Sequence, residues 1–180
     1  MTAREERIAA VVLAAGAATR FGRPKQRLLL PRVLARLETA SVDEIVVVAG
    51  AYPLDVGVRV VPCRDWARGP GASLRCGLAA LADDIAAAVV CLADGPNLSG
   101  AAVDRVIDAW RAGAGDVVAA TYGGARGHPV LLARGAWDAV PASGARSLPA
   151  TRVPCDDLGA PGDVDRADDL RRLEPPLAGI

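Results

Sequence analysis

Two textures alternate along the chain. Short, predominantly apolar runs lie at 8–14, 45–49, 58–62, 87–93, 117–121 and 129–132. They are too short for helices and several are rich in β-branched residues, so they predict strands. Most are continuous rather than alternating, which predicts parallel strands covered on both faces. Between them, apolar residues recur at helical spacing. Val33, Leu34 and Leu37 mark a first helix, with Pro31 suited to its first turn. Leu74, Leu78 and Leu81 form a stripe at i, i+4 and i+7 in a second. Val103, Val106, Ile107 and Trp110 make a third, with Ser99 at its N-cap. A short last helix is predicted over 166–173, led by Asp165 and closed by Pro175 and Pro176. This alternation predicts an α/β fold: a three-layer α/β/α sandwich with a mostly parallel central sheet. At 180 residues, one domain over 1–180 is expected.

Composition narrows the class without naming a function. Apolar residues make up 52% and charged residues 23%, with 21 acidic and 21 basic side chains, as in a soluble globular chain. No long basic stripe is present, which argues against a nucleic-acid partner. The longest apolar stretches fall short of a membrane span. Arg4, Glu5, Glu6 and Arg7 mix signs, unlike the start of a signal peptide. The cysteines, at 63, 76, 91 and 155, include no Cys-x-x-Cys pair, and with one histidine a zinc site is not expected. Cys91 reads as a small buried hydrophobe. A reduced, cytoplasmic protein is the expectation.

Chemistry concentrates where predicted strands end, since ligands of open α/β sheets bind beyond the carboxyl ends of the strands. The first such end reads Leu13-Ala14-Ala15-Gly16-Ala17-Ala18-Thr19-Arg20-Phe21-Gly22-Arg23-Pro24-Lys25. Gly16 and its alanine neighbours let peptide N–H groups approach an anion, and Arg20 and Lys25 add cations. A polyphosphate needs both. Neither Gly-x-Gly-x-x-Gly nor a run ending Gly-Lys-Ser/Thr occurs. Asp94 closes another strand ahead of Gly95-Pro96. It is either a magnesium ligand beside a nucleotide or an ordinary turn residue. Gly69 and Gly71 feed a helix through Ser73, which reads as a ligand contact or an N-cap; Arg75 could reach a phosphate or solvent. Asp163 and Asp165 share one side of an extended segment, fitting metal contact, helix capping or both. His128 has no triad partner and reads as a loop residue shaping a pocket.

These segments resemble the nucleotidyltransferases of the molybdenum cofactor cytidylyltransferase and molybdopterin-guanine dinucleotide type, within the nucleotide-diphospho-sugar transferase fold. The matching pieces are 13–25, 65–78, 92–96, 127–131, 144–146 and 163–170, in the family's order and over nearly the whole chain. The resemblance implies transfer of a nucleoside monophosphate from a triphosphate to a phosphorylated acceptor such as molybdopterin, with release of pyrophosphate. It implies that Leu13, Ala14, Ala15 and Gly16 hold base and phosphates, that Arg20 meets the triphosphate tail, and that Lys25 lies near the α-phosphate. It places Mg2+ on Asp94 and Asp165, with Asp163 less directly, and the nucleoside against Gly71 and Ser73. Ala14-Ala15-Gly16 is more like the cytidylyl branch than the guanylyl branch, which favours CTP over GTP as donor. The segments following Lys25 and Gly50 are shorter than in relatives, which bears on the acceptor. A sugar-phosphate nucleotidyltransferase and a nucleotide-binding chaperone without turnover are the alternative readings.

Overall fold

A continuous apolar run needs cover on both faces, and the central sheet receives it. The computed structural model describes residues 6–16, 25–164 and 167–173. The strands are β1 (Arg7–Ala14), β2 (Glu44–Ala49), β3 (Arg59–Pro62), β4 (Ile85–Leu92), β5 (Val117–Tyr122), β6 (Ala125–Ala133) and β7 (Thr151–Pro154). They form one seven-stranded sheet in the order β3-β2-β1-β4-β6-β5-β7. β6 runs antiparallel to both β4 and β5; the other pairings are parallel.

Side chains of a strand alternate between faces, and β1 shows the consequence. Ile8, Ala10, Val12 and Ala14 pack with Leu30, Val33, Leu34 and Leu37 of α1 (Lys25–Leu37) and with Val103, Val106 and Ile107 of α3 (Gly100–Arg111). Ala9 and Val11 point the other way, onto Leu74 and Leu78 of α2 (Pro70–Ala79). Two layers of helix thus sandwich the sheet. A smaller cluster, Leu29 with Val164, Leu170 and Leu173, lays the C-terminal segment against α1. Among the described residues, no helix is long and apolar enough to cross a membrane.

Several expectations change. α1 begins at Lys25, so Pro31 sits inside it rather than in its first turn. Pro31 is exposed, and on that outer face the Arg27 carbonyl it leaves without an N–H can meet water. α2 is capped by Gly69, which puts the buried Ser73 within the helix instead of at its N-cap. Ser99 does occupy the N-cap of α3, without a side-chain capping bond. The last helix is a 3₁₀ helix, Ala167–Arg172; Asp165 and Arg166 lie outside the described residues. β7 was not predicted. Cys63 and Cys76 form a disulfide, so the expectation of a wholly reduced protein does not hold at this pair, while Cys91 and Cys155 are free and buried.

Candidate active site

The strand order reverses direction between β1 and β4, the kind of switch point where open sheets open a crevice at their carboxyl ends. The two ends are held level: Leu13 is in register with Leu92, and the Ala93 amide donates to the Leu13 carbonyl over 3.1 Å. Beyond β1, Ala14 and Ala15 are buried and Gly16 is exposed. The Ala15 carbonyl accepts from the Ala51 amide at 3.1 Å, which ties the turn to the end of β2. Gly50 makes that approach possible, since a Cβ there would lie 2.7 Å from the Ala15 oxygen and 2.5 Å from the Trp66 ring.

The first turn of α1 then reaches into both ends. Lys25, 8% exposed, places Nζ 3.1 Å from Oδ2 of Asp94 and 2.5 Å from the Val164 carbonyl. Gln26, 5% exposed, donates from Nε2 to the Gly16 carbonyl at 2.6 Å. Consecutive residues therefore clamp the turn after β1 and the carboxylate after β4. The resemblance grouped Lys25 with Asp94, which the structure brings within hydrogen-bond distance, but left out Gln26. Its signal was present: Gln26 lies on the same helical face as the buried Leu29, Leu30, Val33 and Leu37, a polar residue on an apolar stripe. Arg20 lies outside the described residues.

Asp94 is fixed from a second direction by the C-terminal segment. The Val164 amide donates to the Asp94 carbonyl at 3.1 Å, and the Asn97 amide to the Pro161 carbonyl at 2.8 Å. This pairing brings the exposed Asp163, the residue before Val164, to the same end of the sheet; Asp165 is outside the described residues. Among those residues, no group of three or more histidine, cysteine or acidic side chains assembles that could hold a metal alone. One or two carboxylates with room for phosphate oxygens is nevertheless the donor set that Mg2+ prefers. The residues fit a hard divalent ion shared with a triphosphate, and do not fit a closed all-protein metal cage.

The opposite wall is built by α2 and the loop beneath it. The Gly71 amide donates to the Ala142 carbonyl at 3.0 Å, and a Cβ at Gly71 would stand 1.9 Å from the Pro141 oxygen. The backbone of Gly71 is thus pressed against the loop. Arg75, read as a phosphate contact or a solvated residue, donates from Nη1 to the Val140 carbonyl at 2.8 Å and braces the same contact. Cys63, just past β3, is bonded to Cys76 on α2, and this covalent tie brackets the whole wall.

β6 enters the sheet at the edge where β4 leaves it, with Val130 opposite Val90. His128 therefore belongs to a strand rather than a loop, next to a cis bond to Pro129. Burial chiefly, with Arg146 and Arg126 adding, holds its imidazole down to about 4, while Asp94 pulls the other way. The ring is neutral at physiological pH. Arg126, which sequence patterning did not single out, donates to the carbonyls of Ala145, at 2.8 Å, and Leu148. It anchors the turn that carries Arg146.

Comparison with known proteins agrees with this architecture. Residues 10–152 match the model of the MobA-like NTP transferase domain. Nicotine blue oxidoreductase of Paenarthrobacter nicotinovorans is 30% identical, over 92% of this chain and 96% of its own. The crystal structure of Rv0371c from Mycobacterium tuberculosis H37Rv superposes with a TM-score of 0.76 at 30% identity, covering 96% of this chain and 98% of that one. The same protein has been solved as a complex with manganese, at TM-score 0.72, 28% identity, and 97% and 100% coverage. A more distant likeness, of fold alone, is to CMP:2-keto-3-deoxy-manno-octonic acid synthetase complexed with CTP, at 13% identity, TM-score 0.68, and 92% and 96% coverage. A family match over most of the chain, on a sheet whose switch point gathers a small-residue turn, a lysine and an aspartate, identifies this chain as a member of the MobA-like NTP transferase family of nucleotidyltransferases.

Proposed function

We propose that this protein transfers a nucleoside monophosphate, CMP in preference to GMP, from its triphosphate to molybdopterin or a similar phosphorylated small molecule. The observation that carries this reading is the meeting of the Gly16 turn, Lys25 and Asp94 at one switch point. In it, an oxygen of the acceptor phosphate attacks the α-phosphorus, and the bond to the β,γ-diphosphate breaks to release pyrophosphate. No protein nucleophile is required; alignment and the offset of negative charge dominate such a reaction. The Gly16 turn supplies N–H donors, and Lys25 and Arg20 supply cations at the α-phosphate and the tail. Gly71 and Ser73 stand on the nucleoside side. Asp94, with Asp165 and less directly Asp163, would hold Mg2+, which when bound neutralises triphosphate oxygens. The manganese complex of Rv0371c supports a divalent-ion site in that relative. The preference for CTP rests on the resemblance of Ala14-Ala15-Gly16 to the cytidylyl branch.

Pyrophosphate release, assayed with each of the four triphosphates and magnesium, with and without molybdopterin, tests the reading. Release with CTP that depends on the acceptor is the expected result. Asp94→Ala is expected to abolish the strengthening of CTP binding by magnesium. Unchanged magnesium-dependent binding in that variant would remove Asp94 from the metal site.

One relative's name favours a second reading. Nicotine blue oxidoreductase suggests a redox enzyme with a nucleotide hydride carrier in the same cleft. Consumption of NADH or NADPH with nicotine blue, without triphosphate or pyrophosphate, would support it.

A further inference from the structure

The amide of Gln26 is the least explained polar group of the cleft. It is 5% exposed and stands, next to Lys25, on a helical face that beyond this first turn is given to leucine and valine. Such a residue is retained on an apolar stripe only if its hydrogen bonds repay its desolvation. One does: Nε2 donates to the Gly16 carbonyl at 2.6 Å. The orientation is chemically determined, because the other amide atom is an acceptor and would repel that carbonyl. The second atom, Oε1, is buried and has no hydrogen-bond partner among the described residues. A buried carbonyl oxygen left so is a place where an arriving donor would regain a hydrogen bond.

We propose that Gln26 positions the nucleotide: Nε2 sets the Gly16 carbonyl, and Oε1 receives a hydroxyl or amine donor of the bound nucleoside triphosphate. The hydrogen bond from Gln26 fixes the Gly16 carbonyl, and with it the end of the segment that leaves β1. Gln26 thereby holds the Ala15-Gly16 backbone in one orientation. Its neighbour Lys25 performs the matching task on Asp94, and both act from one rigid turn of α1. The proposal rests on the nucleotidyltransferase reading, because it takes a nucleoside triphosphate as ligand.

Calorimetric titration of the full chain with CTP, UTP, dCTP and 3′-deoxy-CTP in magnesium tests it, with Gln26→Met and Gln26→Glu beside the wild type. Gln26→Met keeps the volume and loses both polar atoms, and should weaken CTP binding by about tenfold, the scale of one lost hydrogen bond. Gln26→Glu places a carboxylate against the Gly16 carbonyl and the triphosphate. It should weaken binding by about a hundredfold at pH 8, in keeping with a charged contact of the wrong sign. As pH falls toward 5 the carboxyl gains a proton, can donate to Gly16, and binding relative to wild type should recover; a merely structural role would show no such rescue. A loss larger for CTP than for UTP assigns the 4-amino group to Oε1, and one larger for CTP than for dCTP assigns the ribose hydroxyl. Equal losses on these three, and on 3′-deoxy-CTP as well, overturn the contact at Oε1; equal losses on the three with a smaller one on 3′-deoxy-CTP assign the 3′-hydroxyl. Affinities within twofold of wild type in both variants, with melting temperatures preserved, overturn the positioning role. If the wild type itself binds no triphosphate, the failure lies with the nucleotidyltransferase reading.

Discussion

His128 shows how a single ring reports on its surroundings. Its imidazole is held at about 4 by burial, with Arg146 and Arg126 adding to the effect, against an ordinary value of about 6.5 in an unfolded chain. The unfolded state therefore binds the additional proton between those values, and stability rises with pH across the window. The melting temperature should fall as pH drops from about 6.5 toward 4, and His128→Gln should flatten that fall; an equal pH slope in the variant would show that another group is responsible. From sequence, the residue type and its place near the cleft were legible, but its neutrality was not. That property depends on Arg146 and Arg126, which reach it from another turn and from the same strand. Asp94 was legible because it closes an apolar run, and Lys25 because it is a cation a few residues beyond the small-residue turn that closes another. Gln26 was missed because its meaning is a contact with Gly16, which a helical pattern does not display.

At the scale of elements, the three named helices and six of the strands follow from local pattern, since burial on both faces writes a continuous apolar run into the sequence. β7 reads Thr-Arg-Val-Pro and pairs only with β5 at the sheet edge, so its pattern is too short and polar to announce a strand. The start of α1 was set too late because Pro31 looked like a beginning, when an exposed helix face can carry a proline in mid-course. The wall formed by α2 depends on a contact no local pattern contains: Gly71 against Pro141 and Ala142. Gly71→Ala should cost more than about 3 kcal/mol, because a Cβ 1.9 Å from a backbone oxygen forces two segments apart. Gly135→Ala, with nothing within 4 Å, is the control and should stay within about 0.5 kcal/mol. Thermal melts of the two variants decide it; equal stability would mean that the loop at 141–142 moves aside freely.

For the molecule as a whole, the clamps described above tie the ends of β1 and β4 to α1 and to the C-terminal segment. A ligand bound there touches elements from both halves of the chain. It should therefore stabilise the entire fold rather than one loop. Triphosphate with magnesium at a hundredfold excess over its dissociation constant adds about 2.7 kcal/mol, which at this chain length raises the melting temperature by roughly 5–11 °C. The absence of any shift with all four triphosphates would count against the proposed site. The covalent path of the chain has its own consequence. With Cys63 and Cys76 joined across a separation of 13 positions, the backbone is a line carrying a closed ring, and that ring contains the exposed Arg64 and Arg68. A trypsin cut after either arginine opens the ring without separating its ends. On a denaturing gel the nicked chain should migrate as one species until a thiol is added, and then part into two.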